Sequence, residues 1–245
     1  MTGARRTLHK PSPFRIDLHR TRMYNCGKEI KVFFVYGEKE TEYLKSRDTK
    51  LGEVIDRIGH IERETDGDLF SAAAHHIIGQ QISNKALATV WGRMCCGLGE
   101  VTPETVAAAD TQTLRSFGMS QRKAEYIREF AEKIVGGEFD LNETARMNDE
   151  EAIRRLTSLK GIGVWTAEMI LLFCLQRSDI FSFGDAAIQR GVRMVYNCDK
   201  VERQFFKTLR ERFSPYGSTA SLYFWAVAGG ALPYLHDPAL TEKEA

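Results

Sequence analysis

Apolar residues recur every three or four positions along most of this chain, the period of helices that bury one face. Leu44, Leu51, Val54, Ile55 and Ile58 carry that spacing through residues 39–62. The segment DLFSAAAHHIIGQQIS (68–83) predicts an amphipathic helix that stops near Gly79-Gln80-Gln81, and Ser83 is placed to cap a following helix over 84–97. Thr102 and Pro103 supply an N-cap and a first helical position. From 111 the pattern predicts a short helix, a stop at Gly118, an N-cap at Ser120 and a second helix to about Val135. MNDEEAIRRLTSL is a helix capped by Asn148 or Asp149, and LKGIGVWTAEMILLF (159–173) opens the next one. Helices over AAIQRGVRMVYN and KVERQFFKTLRERF follow, then a last, largely buried helix that ends at Gly229-Gly230. Only EIKVFFVYGE (29–38) carries a strand signal. The expected class is mainly α, with a small strand-containing region near the N-terminus. Two helix–stop–helix units, at 111–135 and 150–176, share a form without a fixed-period repeat.

Composition adds little to that picture: 245 residues, 43% hydrophobic and 27% charged, suit a soluble protein with a sizeable core. No apolar run is long enough for a membrane span, and the N-terminus lacks the apolar stretch of a secretory signal. Five cysteines without CxxC spacing predict reduced thiols, a cytoplasmic location and neither a zinc nor an iron–sulfur site; Cys95-Cys96 reads as core filler. Charge matters through its distribution. Residues 1–31 hold eight Lys/Arg against Asp17 and Glu29, while the whole chain is only +1. A basic arm (1–28) on a near-neutral body suits nucleic acid, and equally a plain solvated tail. The expected organisation is that arm, a short strand/helix region (29–66), a helical core (67–232) and a tail (233–245).

The stretch TSLKGIGVWTA must reverse direction within a few residues. Gly161 and Gly163 permit positive φ and leave the backbone bare, while Ile162 between them can pin the turn to the core. Bare amides at a helix N-terminus, with the helix dipole behind them, form a phosphate site that positions without reading sequence. Lys160 can add a salt-dependent charge contact. Thr166 and Ala167 are small enough to let two helices approach. A glycine turn that merely joins two helices uses the same residues.

Twenty positions after Trp165 stands Asp185, in FSFGDAAIQRGV, just before a helix. An Asp there can be a simple N-cap. It can also be a carboxylate facing a centre that becomes cationic. Together, the GIG hairpin and the Gly-Asp loop resemble the signature of the helix–hairpin–helix (HhH-GPD) DNA glycosylase superfamily. IIGQQIS (77–83) resembles the loop those enzymes push into the minor groove, and SFGMSQRKAEYI (116–127), with Ser120, resembles the segment between. The likeness runs from about residue 45 to 232, and three motifs in order make it specific. Within the superfamily the pattern is most similar to the alkylated-base branch, the bacterial 3-methyladenine DNA glycosylase II type. Trp165 stands where the bifunctional lyases carry a Schiff-base lysine, and the cysteines of the iron–sulfur members are missing.

The resemblance implies two helical subdomains around a DNA cleft and an enzyme that excises a flipped, alkylated purine from double-stranded DNA, leaving an abasic site. It implies Asp185 as the catalytic carboxylate. Trp165 and Tyr216 become aromatic walls for a cationic base, and Met169 stands where the enterobacterial type has an aromatic ring. Gln81 becomes the wedge. Lys160, Gly161, Ile162, Gly163, Thr166, Ser120 and Arg190 fall to DNA binding, with Arg190 equally a solvated helix residue. A monovalent cation held by the carbonyls of Thr157, Leu159 and Gly161 is the only ion implied; no cofactor and no iron–sulfur cluster are expected, and the protein should act as a monomer. His75 and His76 read as packing or surface residues. Two rivals stand beside this reading: a same-fold glycosylase for deaminated or oxidised bases, and a non-catalytic DNA-binding module.

Overall fold

The computed structural model describes residues 32–241. The basic arm (1–28) lies outside them. Helices α1 (Glu38–Arg47) and α2 (Thr49–Ile58) come first, followed by α3 (Leu69–Gly79) and α4 (Asn84–Leu98). Next are α5 (Pro103–Ala108), α6 (Thr111–Ser116), α7 (Gln121–Val135), α8 (Leu141–Arg146), α9 (Asp149–Thr157) and α10 (Val164–Phe173). The chain ends with α11 (Ala186–Tyr196), α12 (Arg203–Phe213), α13 (Gly217–Ala228) and α14 (Pro238–Thr241).

Short polar residues set the boundaries, as their side chains satisfy the first helical amides. Asp68, Ser83, Thr102, Ser120 and Asn148 each accept a backbone N–H of the helix they open. The single helical pattern over 39–62 is in fact two helices. Asp48 breaks it: its backbone is extended (φ −151°), its Oδ1 caps α2 at Leu51 N, and its Oδ2 pairs with Arg212. Gly118, at φ +108°, ends the α6 turn as its sequence position suggests.

Two expectations are corrected. Among the described residues no strand forms; 32–36 makes one antiparallel bridge, Phe33 with Glu64. Two of its side chains go instead into packing, Phe34 in one core and Tyr36 against both cores, while Val32 and Val35 are exposed, and α1 begins directly after Gly37. The Cys95-Cys96 pair is not core filler as a unit. Cys95 leans on the core while Cys96 is exposed, since only Val90 and Met94 of α4 are buried and the helix turns the next position outward.

Two hydrophobic cores result. The first joins α3 to α10, with Phe70, Ile77, Ile127, Phe130 and Ile170 inside it. The second takes α1 and α2 from before that segment and α11–α13 from after it, around Phe181, Phe213, Tyr223 and Phe224. Trp225 packs against both. The junction therefore lies where α10 of one lobe faces α11 and α13 of the other.

Candidate active site

Asp185 sits at this junction, only 6% exposed. Its Oδ1 accepts the amide of Ile188 at 2.8 Å, so it is the N-cap of α11. The same oxygen accepts the Trp225 indole N–H at 3.0 Å, and Oδ2 accepts the Trp165 indole N–H at 2.8 Å. The N-cap reading of Asp185 therefore holds, and the same carboxylate has two further partners. A cap needs one oxygen, and here three donors fix both, locking the carboxylate plane. Trp165 belongs to α10, Asp185 opens α11 and Trp225 lies on α13, so the triad forms only when the two lobes meet.

The turn that carries Asp185 is tied down on every side. Arg210 Nη1 reaches the Phe181 carbonyl at 3.2 Å, and Gln189 Nε2 the Phe183 carbonyl at 2.6 Å. The fully buried Ser182 donates its hydroxyl to Glu168 of α10. Burial and the charge of nearby Asp185 push the Glu168 carboxyl above the usual range, while the Ser182 bond opposes them.

Trp165 is 42% exposed and Val164 beside it more so. They stand at the open N-terminus of α10, which has no side-chain cap. Gly161 turns the chain at φ +85°; Gly163 does not share that role, since its φ of −88° is ordinary. Gly163 instead serves as a bare N-cap. Ile162 is buried, pinning the turn as expected. Gly161 also allows close approach, because a Cβ there would lie 2.6 Å from the Tyr126 ring.

The 79–83 loop lies next to this hairpin. Gln80 Nε2 donates to the Gly161 carbonyl at 2.7 Å. Lys123 of α7 donates to the carbonyls of Ile78 at 2.8 Å and Gln80 at 2.6 Å, and burial lowers its basicity. Gln81 at the tip is exposed and held at φ +58°, a left-handed conformation uncommon for a side chain of its kind. Lys160 is exposed but not free, being paired with Glu129 at 2.8 Å. Ser120 is exposed and caps α7.

The other expected site residues have packing or charge partners of their own. Met169 is 2% exposed within the first core, and Thr166 is buried, which suits close helix packing. Tyr216 stacks edge-on against Tyr43 of α1 (5.1 Å between centroids), with Lys39 over its ring. Arg190 faces Asp237 at 3.7 Å, alongside the stronger Arg193–Asp237 fork. His75 meets Trp91 edge-on, and His76 meets Trp165 edge-on at 6.4 Å. Burial lowers the His76 pKa, so its half-buried ring packs as expected, though against a site residue.

Trp225, Glu168 and Gln80 were not among the expected site residues. Trp225 had a legible signal: an indole N–H in a buried helix requires an acceptor. Among the described residues no group of three or more His, Cys, Asp or Glu could hold a metal ion. The carbonyls of Leu159 and Gly161 each accept one hydrogen bond, from Ile162 N and Gln80 Nε2. Each keeps a second lone pair, so these neutral oxygens fit a monovalent cation.

The arrangement is a fixed carboxylate between two indoles, one of them at an uncapped helix N-terminus, with an exposed loop held at positive φ bonded to the hairpin before that helix. Residues 74–215 match the family model of the HhH-GPD superfamily base excision DNA repair proteins, and the chain belongs to that family. It is 32% identical over 154 residues to DNA-3-methyladenine glycosylase 1 of Schizosaccharomyces pombe, covering 61% of this chain and 68% of that one. The crystal structure of a DNA-3-methyladenine glycosidase from Bacillus halodurans superposes with a TM-score of 0.75 at 30% identity, covering 87% of this chain and 99% of that one. The S. pombe 3-methyladenine DNA glycosylase in complex with abasic DNA gives a TM-score of 0.69 at 26% identity, covering 78% and 97%. No helix of the described residues is long and apolar enough to cross a membrane.

Proposed function

We propose that the protein is a monofunctional DNA glycosylase that hydrolyses the N-glycosidic bond of alkylated purines in double-stranded DNA. The Asp185 carboxylate, held at the lobe junction by two indole N–H groups, carries this reading. Cleavage of an N-glycosidic bond builds positive charge on the sugar, as in other glycoside hydrolysis. A carboxylate already oriented opposite that charge stabilises it without reorganising, and can guide the attacking water. An N-alkylated purine is itself cationic and leaves readily, so a strong general acid is unnecessary. The exposed Trp165 face suits such a base. Trp165, in place of a lysine, leaves no amine at that position for a lyase step. The relatives' names support the 3-methyladenine class of substrate.

The uncapped amides of Gly163, Val164 and Trp165 would meet a DNA phosphate, and Gln81 would fill the gap left by the flipped base. Lys160 would add charge on release from Glu129. A monovalent cation on the carbonyls of Thr157, Leu159 and Gly161 would add positive charge to the same anchor. The enzyme is expected to act as a monomer in the cytoplasm.

The test uses duplexes bearing one 7-methylguanine, hypoxanthine or 8-oxoguanine, with alkali cleavage of abasic sites afterwards. Release of the methylated purine, with strand breaks only after alkali, is expected. Breaks without alkali would overturn the monofunctional assignment, and no release from any duplex would favour a binding module. Asp185→Asn should keep DNA affinity and lose excision. Asparagine can still cap α11, but it cannot accept from both indoles and carries no charge.

A further inference from the structure

Glu168 is the only acid on α10 and stands among seven buried neighbours on that helix. Burying a carboxyl is unfavourable, and its proximity to Asp185 adds repulsion. Something must offset both. Among the described residues its hydrogen-bond partner is Ser182, a fully buried hydroxyl three residues before Asp185, and the Arg210 charge also favours the ionised form. The Ser182 carbonyl in turn accepts the Asp185 amide at 3.4 Å, closing the turn. Arg210 holds the preceding residue, Phe181, from α12. The 182–185 turn is therefore gripped by α12 from one lobe and by α10 from the other.

Trp165, which binds Asp185 Oδ2, lies three positions before Glu168 on the same helix. Residues at that spacing share a helix face. One face of α10 thus reaches Asp185 twice: directly through Trp165, and through its backbone turn by way of Glu168 and Ser182. Two attachments from one rigid element fix both position and rotation, which a single bond does not.

We infer that Glu168 is a positioning residue for excision: through Ser182 it holds the 182–185 turn so that the Asp185 carboxylate stays in register with both indoles. This role rests on Asp185 being the catalytic group. What Ser182 needs is an acceptor oxygen at that place. The raised Glu168 pKa means the group keeps its proton more readily than an ordinary glutamate, so a neutral amide of the same shape should serve nearly as well.

The experiment measures single-turnover excision from a 7-methylguanine duplex, and affinity for a duplex with an abasic-site analogue. Glu168→Ala should slow excision by roughly 10- to 100-fold, the scale expected for slight misplacement of a reacting group, with abasic-duplex affinity unchanged. Glu168→Gln should recover most of the rate. Ser182→Ala removes the same bond with a smaller change in volume and should slow excision comparably. The double variant should be no slower than Glu168→Ala alone. A Glu168→Gln rate as low as that of Glu168→Ala would overturn the positioning role, as would independent effects in the double variant or a parallel loss of affinity. If Asp185→Asn excises at the wild-type rate, the catalytic reading fails. If Asp185→Asn is inactive and both Glu168→Ala and Ser182→Ala are unimpaired, only the positioning role fails.

Discussion

Gly191→Ala tests how closely the triad depends on packing far from it. Gly191 is buried on α11, where that helix meets α13. A Cβ at this position would lie 2.2 Å from the Phe224 carbonyl oxygen, 2.8 Å from its carbon and 2.9 Å from its Cα. These are backbone atoms and no rotamer relieves them, so the helices must part by about 0.8 Å to reach a tolerable 3.0 Å contact. Asp185 caps α11 and Trp225 directly follows Phe224, so their 3.0 Å bond lies across the same gap. Opened by that amount it passes out of hydrogen-bond range. Overpacking of this kind costs about 1–3 kcal/mol, and loss of a hydrogen bond to a charged acceptor roughly 1.5–3 kcal/mol more. Urea denaturation should show an unfolding free energy lower by the first amount or more. Single-turnover excision, at a temperature where the variant stays folded, should fall by about 10-fold or more. A variant with unchanged stability would refute the packing argument. Unchanged excision alongside lower stability would show that the Trp225 bond does not matter for the reaction.

Trp165→Phe keeps an aromatic face but removes the donor to Asp185 Oδ2; excision should fall about 10-fold while abasic-duplex affinity holds, measured by the same kinetics and by fluorescence anisotropy. Gly161→Ala forces a Cβ into a φ of +85° and against Tyr126; binding of damaged and undamaged duplexes should weaken alike, with a stability loss of about 1–2 kcal/mol. Asp237→Asn addresses pH. Arg193 holds the Asp237 carboxyl below its ordinary 3.8, so the unfolded chain takes up that proton first. The pair's contribution is complete above that value and fades as pH falls through the lower folded pKa. The variant should be less stable at neutral pH and lose less than the wild type on acidification, as read from thermal melts across pH 2–7.

Helix boundaries were legible because they follow local chemistry: Asp, Ser, Thr and Asn side chains cap where they stand, whatever packs behind. The hairpin was legible for the same reason, though sequence cannot say which glycine takes positive φ; only the placement of Tyr126 against Gly161 shows that. Within the described part of 29–38 the strand did not form because β-branched and aromatic residues fit a half-buried surface of any kind, and Phe34 and Tyr36 found theirs in the two cores. Asp185 was visible through its motif. Its partners were less so: Trp225 lies 40 residues away and Glu168 17, and such meetings depend on how the two lobes close. Lys160 and Arg190 looked available as lone cations, and only tertiary structure supplies Glu129 and Asp237.

The bond from Gln80 to Gly161 joins two loops some eighty positions apart, and Lys123 of α7 ties the first of them, through Ile78 and Gln80, to the helix beside it. In the proposed function one loop would enter a groove and the other would grip a phosphate. Moving either loop alone would break that bond. With the proposed roles, such a protein would sample a duplex by tilting its whole body, so that contact at the phosphate and pressure on the base stack would come together. An undamaged, well-stacked site resists that pressure and sheds the grip with it. Discrimination would then begin as a mechanical test of the duplex, before any base had reached Asp185.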